Sequence, residues 1–411
     1  MQKFEKHSPV VVTEVTTRHE LRQFMQYPNR LYADNPNYIP SFYGDDLSDW
    51  TPGKNPAFDY CEARCWLAWR DGEIVGRIGA ILSHKANDKF GTHRMRFSQV
   101  DFVDDSEVSA ALFGTVERWA RQKGCDQVHG PLGFTDMDRE GMLVEGFDRR
   151  SLFITNYNAP YYPEHLTRLG YRKDVDWIEY RISVPAPGSA EAERLHKLSE
   201  FILKRKHLHV ATLHHKSEYG PFVRQVFELV NAAYAPLYGV VELSDEQIER
   251  YANKFIPLVD PDFVCFVLDE QDKLVAFGVT TLDPSPALKH SDGRLFPFGW
   301  AEVLNDLHHG DTLIMLLTAV RPDLQTEGIN AVMMDHVCQS CNRHGVQFAE
   351  TGPMLEKNDH ILAQWKRLDK EQHKRRRCFI KDLDHGINAA NAAAAAQAEA
   401  PEAAPAAESA E

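Results

Sequence analysis

One order of patterned segments occurs twice along this 411-residue chain, and a duplicated order limits the architectures open to it. In the first pass VVVTEV predicts a strand and His19 to about Tyr32 a helix. CWLAWRDGEIVGRIGAIL joins two apolar runs through Asp71-Gly72, a hairpin signal. The strand MRFSQVDFV, a helix over Val108–Lys123 stopped by Gly124, a strand at Gln127–Gly130, a helix at Pro163–Leu169 and the strand VDWIEYRI complete it. In the second pass the strand LHVATLH precedes helices at Phe222–Tyr234 and Asp245–Phe255. FVCFVLDEQDKLVAFGVTTL is again a hairpin, and TLIMLLTAV a strand of buried type. A helix over Gly328–His344, the strand VQFAETGPM, a helix over Asn358–Leu368 and CFIKDL end it.

The two passes meet at Pro185-Ala-Pro-Gly-Ser-Ala190, where Pro, Gly and small residues cluster. The expectation is an α/β (α+β) chain of two tandem units. Each is a mixed, mostly antiparallel sheet flanked by helices, over residues 1–184 and 195–385, with a linker at 185–194. Residues 386–411, almost all Ala with Glu, Pro, Asn and Gln, hold no large apolar side chain and read as a disordered tail.

Charge and cysteine usage narrow the function classes. A formal net charge of -14 disfavours nucleic acid as a partner. No uncharged apolar run reaches the ~18–20 residues of a membrane helix. MQKFEKHSPVVVTEV has too short an apolar core for a secretory signal, and seven scattered cysteines suit a reducing cytoplasm. Peripheral membrane contact and oligomeric state are left open.

Chemistry concentrates after TLIMLLTAV, in Arg321-Pro-Asp-Leu-Gln325-Thr-Glu-Gly328-Ile-Asn330-Ala331. A loop entering a helix leaves several N–H groups unpaired, and the helix dipole adds partial positive charge, so a pyrophosphate can be held without many basic side chains. The segment resembles the acyl-CoA loop of the GNAT (Gcn5-related N-acetyltransferase) superfamily, V-x-P-x-x-Q/R-x-x-G-x-G/A after the fourth strand. Val320, Pro322, Gln325 and Gly328 match, and Asn330 stands where the second Gly usually does. Glu350-Thr-Gly-Pro-Met-Leu-Glu356-Lys-Asn358 and Trp365-Lys-Arg-Leu368 are similar to the fifth strand and fourth helix. Tyr161-Tyr-Pro163 through Leu169-Gly-Tyr171 is similar to the same region of the first half. The resemblance covers both halves.

What the resemblance implies is an acyl-CoA-dependent N-acyltransferase, with acyl-CoA or acetyl-CoA as co-substrate and a small-molecule or lipid amine as acceptor. The cofactor contacts would fall on Ala319, Val320, Gln325, Thr326, Glu327, Gly328, Ile329, Asn330 and Asn358. The second half offers Glu350 and Glu356 as candidate bases, Glu350 first. Its fourth helix lacks the tyrosine that protonates the leaving thiolate, so Tyr162 (or Tyr157 or Tyr161) would substitute if the repeats face each other. The first half, with Asp101-Phe-Val-Asp-Asp-Ser-Glu107 in place of the loop, is expected to bind no CoA, since Asp104, Asp105 and Glu107 repel phosphate.

Other readings stay open: a long-chain N-acyltransferase on a sphingoid base or other lipid amine, as in bacterial ceramide synthesis, an aminoacyl-tRNA-dependent transferase, a non-catalytic GNAT-like module, or a structural partner protein. The long-chain reading requires an apolar tunnel beside the thioester. No metal is expected. His207, His209, His214 and His215 read as edge-strand histidines, and Cys338 and Cys341 as buried helix-face residues. Lys374-Arg-Arg-Arg377 reads as a solvated face or a contact for the CoA 3′-phosphate. Asp136, Asp138, Glu140 and Glu145 read as a surface loop or a lure for a cationic amine.

Overall fold

The computed structural model describes residues 8–383. The proposed tail at 386–411 lies outside the described residues. The first half contains β1 (Val11–Glu14), α1 (Arg18–Leu31), α2 (Tyr43–Asp49), β2 (Cys61–Arg70), β3 (Glu73–Ser83), α3 (His84–Phe90), β4 (Arg94–Phe102), α4 (Ser106–Gln122), β5 (Gln127–Gly130), β6 (Met142–Glu145), α5 (Tyr162–Arg168) and β7 (Arg172–Ser183). The second contains α6 (Ala190–Lys206), β8 (His209–Val210), α7 (Gly220–Tyr234), α8 (Asp245–Phe255), β9 (Val264–Leu268), β10 (Leu274–Leu282), α9 (Ser285–His290) and α10 (Gly299–His309). It continues with β11 (Thr312–Val320), α11 (Asn330–His344), β12 (Phe348–Thr351), β13 (Met354–Leu355), α12 (Asp359–Ala363) and β14 (Lys370–Asp382).

Local chemistry fixes many of these ends. Thr17 caps α1 with a reciprocal Glu20 contact, and Ser244 caps α8 with Gln247. Gly345 in the left-handed region ends α11. The Asp71-Gly72 turn, both residues at positive φ, closes the β2–β3 hairpin.

All the strands join one continuous sheet in the order β1-β2-β3-β4-β5-β14-β7-β12-β11-β10-β9-β8, with β6 and β13 paired to its two central strands. The halves exchange their last strands. β14, from the second half, pairs with β5 of the first, while β7, from the first, pairs with β12 of the second. β7 and β14 lie antiparallel along most of their length and form the seam.

Two expectations change. The 185–194 linker ends early, because Ser189 caps α6 and residues 190–194 are its first turn. The Lys374–Arg377 run is no solvated face. It lies on β14 at the seam, where alternation sends Lys374 and Arg376 into the interior and Arg375 and Arg377 onto Asp176. Buried cations need partners, and Glu179 and Glu350 supply them. The α9–α10 insertion between β10 and β11 was not foreseen.

Candidate functional site

β11 pairs with β10 along its whole length but with parallel β12 only from Thr312 to Met315. Beyond Met315 the two strands part. A register shift sets Val279 opposite Leu317 and Thr280 opposite Met315, which bulges β11 at Leu316. The edge of β11 over Leu316–Thr318 therefore faces an opening rather than a strand.

Two cavities meet at that opening. A cleft of about 490 Å³, more polar in its lining than its neighbour, runs from Ala319, Val320, Gln325 and Asn330 to the Leu355–Asn358 segment. An apolar cavity of about 170 Å³ extends between β11, α11 and α12, lined by Met315, Leu317, Met333, Met334, Val337, Cys338, Cys341 and Trp365 among others. Tyr234, Thr318, Asn330, Ile361 and Gln364 line both. The cysteines are thus buried helix-face residues, with burial pushing Cys338 up to about 11 and Cys341 up to about 12.

The more polar cleft ends on the N-terminus of α11. Among the described residues, the N–H groups of Gln325, Thr326, Gly328, Ile329 and Asn330 donate to no protein acceptor, and no side chain caps the helix. Gly328 takes φ +81°, a conformation that glycine adopts without penalty. Gln325 Nε2 donates to the Val320 carbonyl at 3.3 Å, Thr326 is exposed and Ile329 is buried. Glu327 turns away to Lys206 Nζ at 2.5 Å, and this bond holds its carboxyl below the usual range. Asn358 Oδ1 accepts the Ile361 N–H at 3.3 Å and so caps α12 beside the cleft. Gln364 Nε2 is buried without a partner where the cavities join. Unpaired donors at one end and an orphaned donor at the neck fit a ligand with anionic and amide or carbonyl groups.

The same position in the first half is sealed. Gly76 opposes Phe102 as Ala276 opposes Val320, so Phe102 is the counterpart of Val320. The Phe102 N–H donates to the Tyr162 hydroxyl at 2.7 Å, and Tyr161 donates to the Phe102 carbonyl. Asp105 accepts the Glu107 and Val108 amides and pairs with Arg70 at 2.5 Å. Tyr162 is fully buried in the first half's core and hydrogen-bonded to Tyr32 at 2.6 Å. It does not reach the second half's opening, because the repeats join edge to edge. The proposed role of Tyr162 is withdrawn.

Glu350 is also elsewhere engaged. Ala349 and Thr351 line the apolar cavity, so Glu350 between them faces the opposite side of the sheet. There it accepts from Arg181 at 3.0 Å and Lys374 at 3.3 Å. A carboxylate held by two cations is a seam contact rather than a free base.

The acidic loop after β5 comes closer. Met137 packs against the same hydrophobic cluster as Leu316 and Leu317 of β11. Asp138 is committed to the Phe134 and Thr135 amides at 2.8 and 3.2 Å. Asp136 and Glu140 make no side-chain hydrogen bond among the described residues. Burial pushes Asp136 up to about 6 and Glu140 up to about 8. The negative charge of Asp136 adds to burial in pushing the Tyr234 phenol up to about 12. Tyr234 donates to the Thr318 carbonyl at 2.8 Å. Tyr234 escapes sequence reasoning because it sits on α7 and not on the fourth helix of the repeat. His129, Asp174 and Cys378 also converge, but the Tyr238 hydroxyl lies among them, 2.9 Å from His129 and 2.5 Å from Asp174.

No family model matches the chain. It is 27% identical over 383 residues to Protein YghO of Escherichia coli (strain K12), covering 91% of this chain and 95% of that protein. It is 28% identical over 299 residues to the bacterial ceramide synthase of Caulobacter vibrioides (strain NA1000 / CB15N), covering 71% and 75%. Its fold is similar to that of a tandem GNAT protein from the clavulanic acid biosynthesis pathway, at TM-score 0.52 and 13% identity over 92% of this chain and 100% of that one.

Proposed function

Starting from the tandem GNAT fold that this chain has, we propose that it is an N-acyltransferase taking a long-chain acyl-CoA donor in its second half and a lipid amine as acceptor. The observation that carries this reading is the junction of the more polar cleft with the apolar cavity at the parted strands β11 and β12. The similarity to the Caulobacter bacterial ceramide synthase supports a lipid amine as acceptor.

The thioester supplies an activated acyl carbon. The amides of Gln325 to Asn330 and the dipole of α11 bind the pyrophosphate, aided by Lys206 keeping the Glu327 carboxylate away. Asn358 and Gln364 bind the amide groups of the pantetheine arm. The Met- and Leu-lined cavity takes the acyl chain, since flexible thioether side chains fit alkyl chains of varied length. Asp136, ionised above pH about 6, takes the amine proton directly or through water, and the Asp138 charge adds to burial in raising its basicity. Tyr234 keeps its proton at neutral pH and donates it to the departing sulfur. The first half contributes the base and binds no CoA.

Calorimetry with CoA, acetyl-CoA and palmitoyl-CoA tests the reading. Palmitoyl-CoA should bind at least roughly tenfold tighter than acetyl-CoA, because each buried methylene adds about 0.8 kcal/mol. Gly328→Asp should abolish binding of all three. The change adds a negative charge to the cradle, at a positive φ that Asp tolerates better than most residues and with its Cβ 3.2 Å from Ile202 Cδ1. Absence of binding by every thioester would overturn the proposal.

A further inference from the structure

Among the described residues, eight large hydrophobic side chains are exposed, and four of them fall between residues 296 and 304. Phe296 and Phe298 are 82% and 75% exposed, on either side of Pro297. Trp300 and Leu304 follow one helical turn apart on α10, at 48% and 42%. Val303 and Leu307 of the same helix are buried. Trp300, Val303, Leu304 and Leu307 recur at i, i+3, i+4 and i+7 and form one apolar stripe, whose Trp300–Leu304 edge is left uncovered. We infer that the tip formed by Phe296, Phe298, Trp300 and Leu304 docks into the interfacial layer of a lipid bilayer.

Four properties favour a bilayer over a protein. The tip's side chains are highly exposed and need a medium that yields to them, whereas a protein partner needs a matching hollow. It is small: nine residues, against the ~20–30 per side and ~800 Å² per partner of a standard interface. It is stiff and its hydrogen bonds are internal. A side chain at Gly299 would strike the Arg294 carbonyl, and the Trp300 amide donates to the Leu295 carbonyl at 2.8 Å. The Trp300 indole donates to the Pro297 carbonyl at 3.1 Å, so entering lipid orphans no indole proton. Phe and Trp at a helix start are also the side chains that partition best into the headgroup boundary.

Its location gives the docking a purpose. Val303 and Leu307 pack in a cluster that includes Leu316, and Leu316 also lines the apolar cavity. The bilayer contact thus lies one packed layer from the parted strands. No charge sign dominates the rim, where exposed Arg294 stands near Asp292 and His290 pairs with Glu302 at 2.7 Å. Docking is therefore apolar, independent of anionic lipid and resistant to salt.

Flotation of the full chain with vesicles of pure phosphatidylcholine, and separately of phosphatidylethanolamine with phosphatidylglycerol, tests this without any thioester. Both vesicles should carry the protein up at low and at high salt. The combined Phe296→Ser, Phe298→Ser and Trp300→Ser variant should lose at least roughly tenfold in partition coefficient. Leu304→Lys alone should lose severalfold, which keeps the test valid if the triple variant misfolds. Failure of the wild-type chain to float with either vesicle overturns the inference, as does equal flotation of the variants. A lipid-free dimer that the substitutions dissolve would overturn it in favour of a second copy of the chain. The proposed acyl transfer stands or falls separately, on thioester binding.

Discussion

The Tyr234 hydroxyl donates to the Thr318 carbonyl across 2.8 Å and pins α7 to the free edge of β11 where the two cavities join. Tyr234→Phe removes one hydrogen bond and the only proposed proton donor to the thiolate. The net stability cost of one such bond is about 1 kcal/mol. The turnover rate should fall by about 10²-fold, within the range for a general acid, while Kd for palmitoyl-CoA changes less than about threefold. Stopped-flow release of CoA thiol measures the first and calorimetry the second. A variant with unaltered turnover would remove Tyr234 from the chemistry.

Asp136 and Glu140 give a pH signature with two opposite signs. If Asp136 is the base, kcat/KM rises as pH passes through about 6. Stability moves the other way. Both carboxyls have folded-state pKa values above their unfolded ones, so the folded chain binds extra protons. Their contribution is fully present below pH ~4 and is lost as pH rises through about 6 and about 8. Glu140→Gln should therefore raise stability at pH 9 by on the order of 2 kcal/mol, less than a full shift gives because Glu140 keeps some solvent contact. Asp136→Asn should raise it less and cut turnover more than about 100-fold. Denaturant melts at pH 5 and pH 9 beside a rate profile separate the two effects.

Glu350→Gln should behave in the opposite way. It leaves Lys374 in the interior with only Glu179, at 3.8 Å, and frees Arg181. Breaking a buried pair costs about 3–5 kcal/mol. Turnover per folded molecule should stay within about threefold of wild type. A large loss of turnover with unchanged melting would restore Glu350 as the base.

The repeat was legible because each unit's elements are local. Asp71-Gly72, the Ser244 cap and Gly345 fix ends through neighbours a few residues away, and α8 runs over the predicted Asp245–Phe255. The unforeseen part is long-range. Nothing within β7 or β14 says which half each strand completes. Strand alternation alone cannot tell a charged run like Lys374–Arg377 at a seam from one at a surface. The strand–loop–helix proposed as the phosphate end of the site was readable, since a loop with Gly328 entering a helix is a local object. The proposed proton-transfer groups were not, because Tyr234 and Asp136 are 98 residues apart in number and come under each other's influence only in the folded chain.

Lys206 and Glu327 form a testable guard at the phosphate cradle. Lys206→Ala frees a carboxylate beside unpaired amides that await an anion. CoA affinity should fall about five- to tenfold at low salt, and the fall should shrink as salt screens it. Glu327→Gln in the same chain should restore the affinity, since it removes the charge that Lys206 restrained. Calorimetry on the two single variants and the double variant gives the coupling directly. Independent effects would show that Glu327 does not face the phosphates when released.

Met334 sits half-buried on α11 and lines the apolar cavity, one turn beyond Asn330 at the neck. Its replacement by Trp puts a rigid ring where a flexible thioether stood and shortens the space available to an alkyl chain. The cleft proposed to hold the pyrophosphate is untouched, because it is built from the Gln325–Asn330 amides and the Leu355–Asn358 segment. Palmitoyl-CoA should therefore bind at least about tenfold more weakly to Met334→Trp, while CoA itself binds as before. Each methylene excluded forfeits about 0.8 kcal/mol, so the penalty should grow stepwise with chain length and vanish for chains that end before the ring. The length at which the wild-type and variant affinities diverge measures the distance from the neck to Met334. Equal affinity of both proteins for every chain length would mean that the cavity is a packing defect and that the acyl chain lies elsewhere.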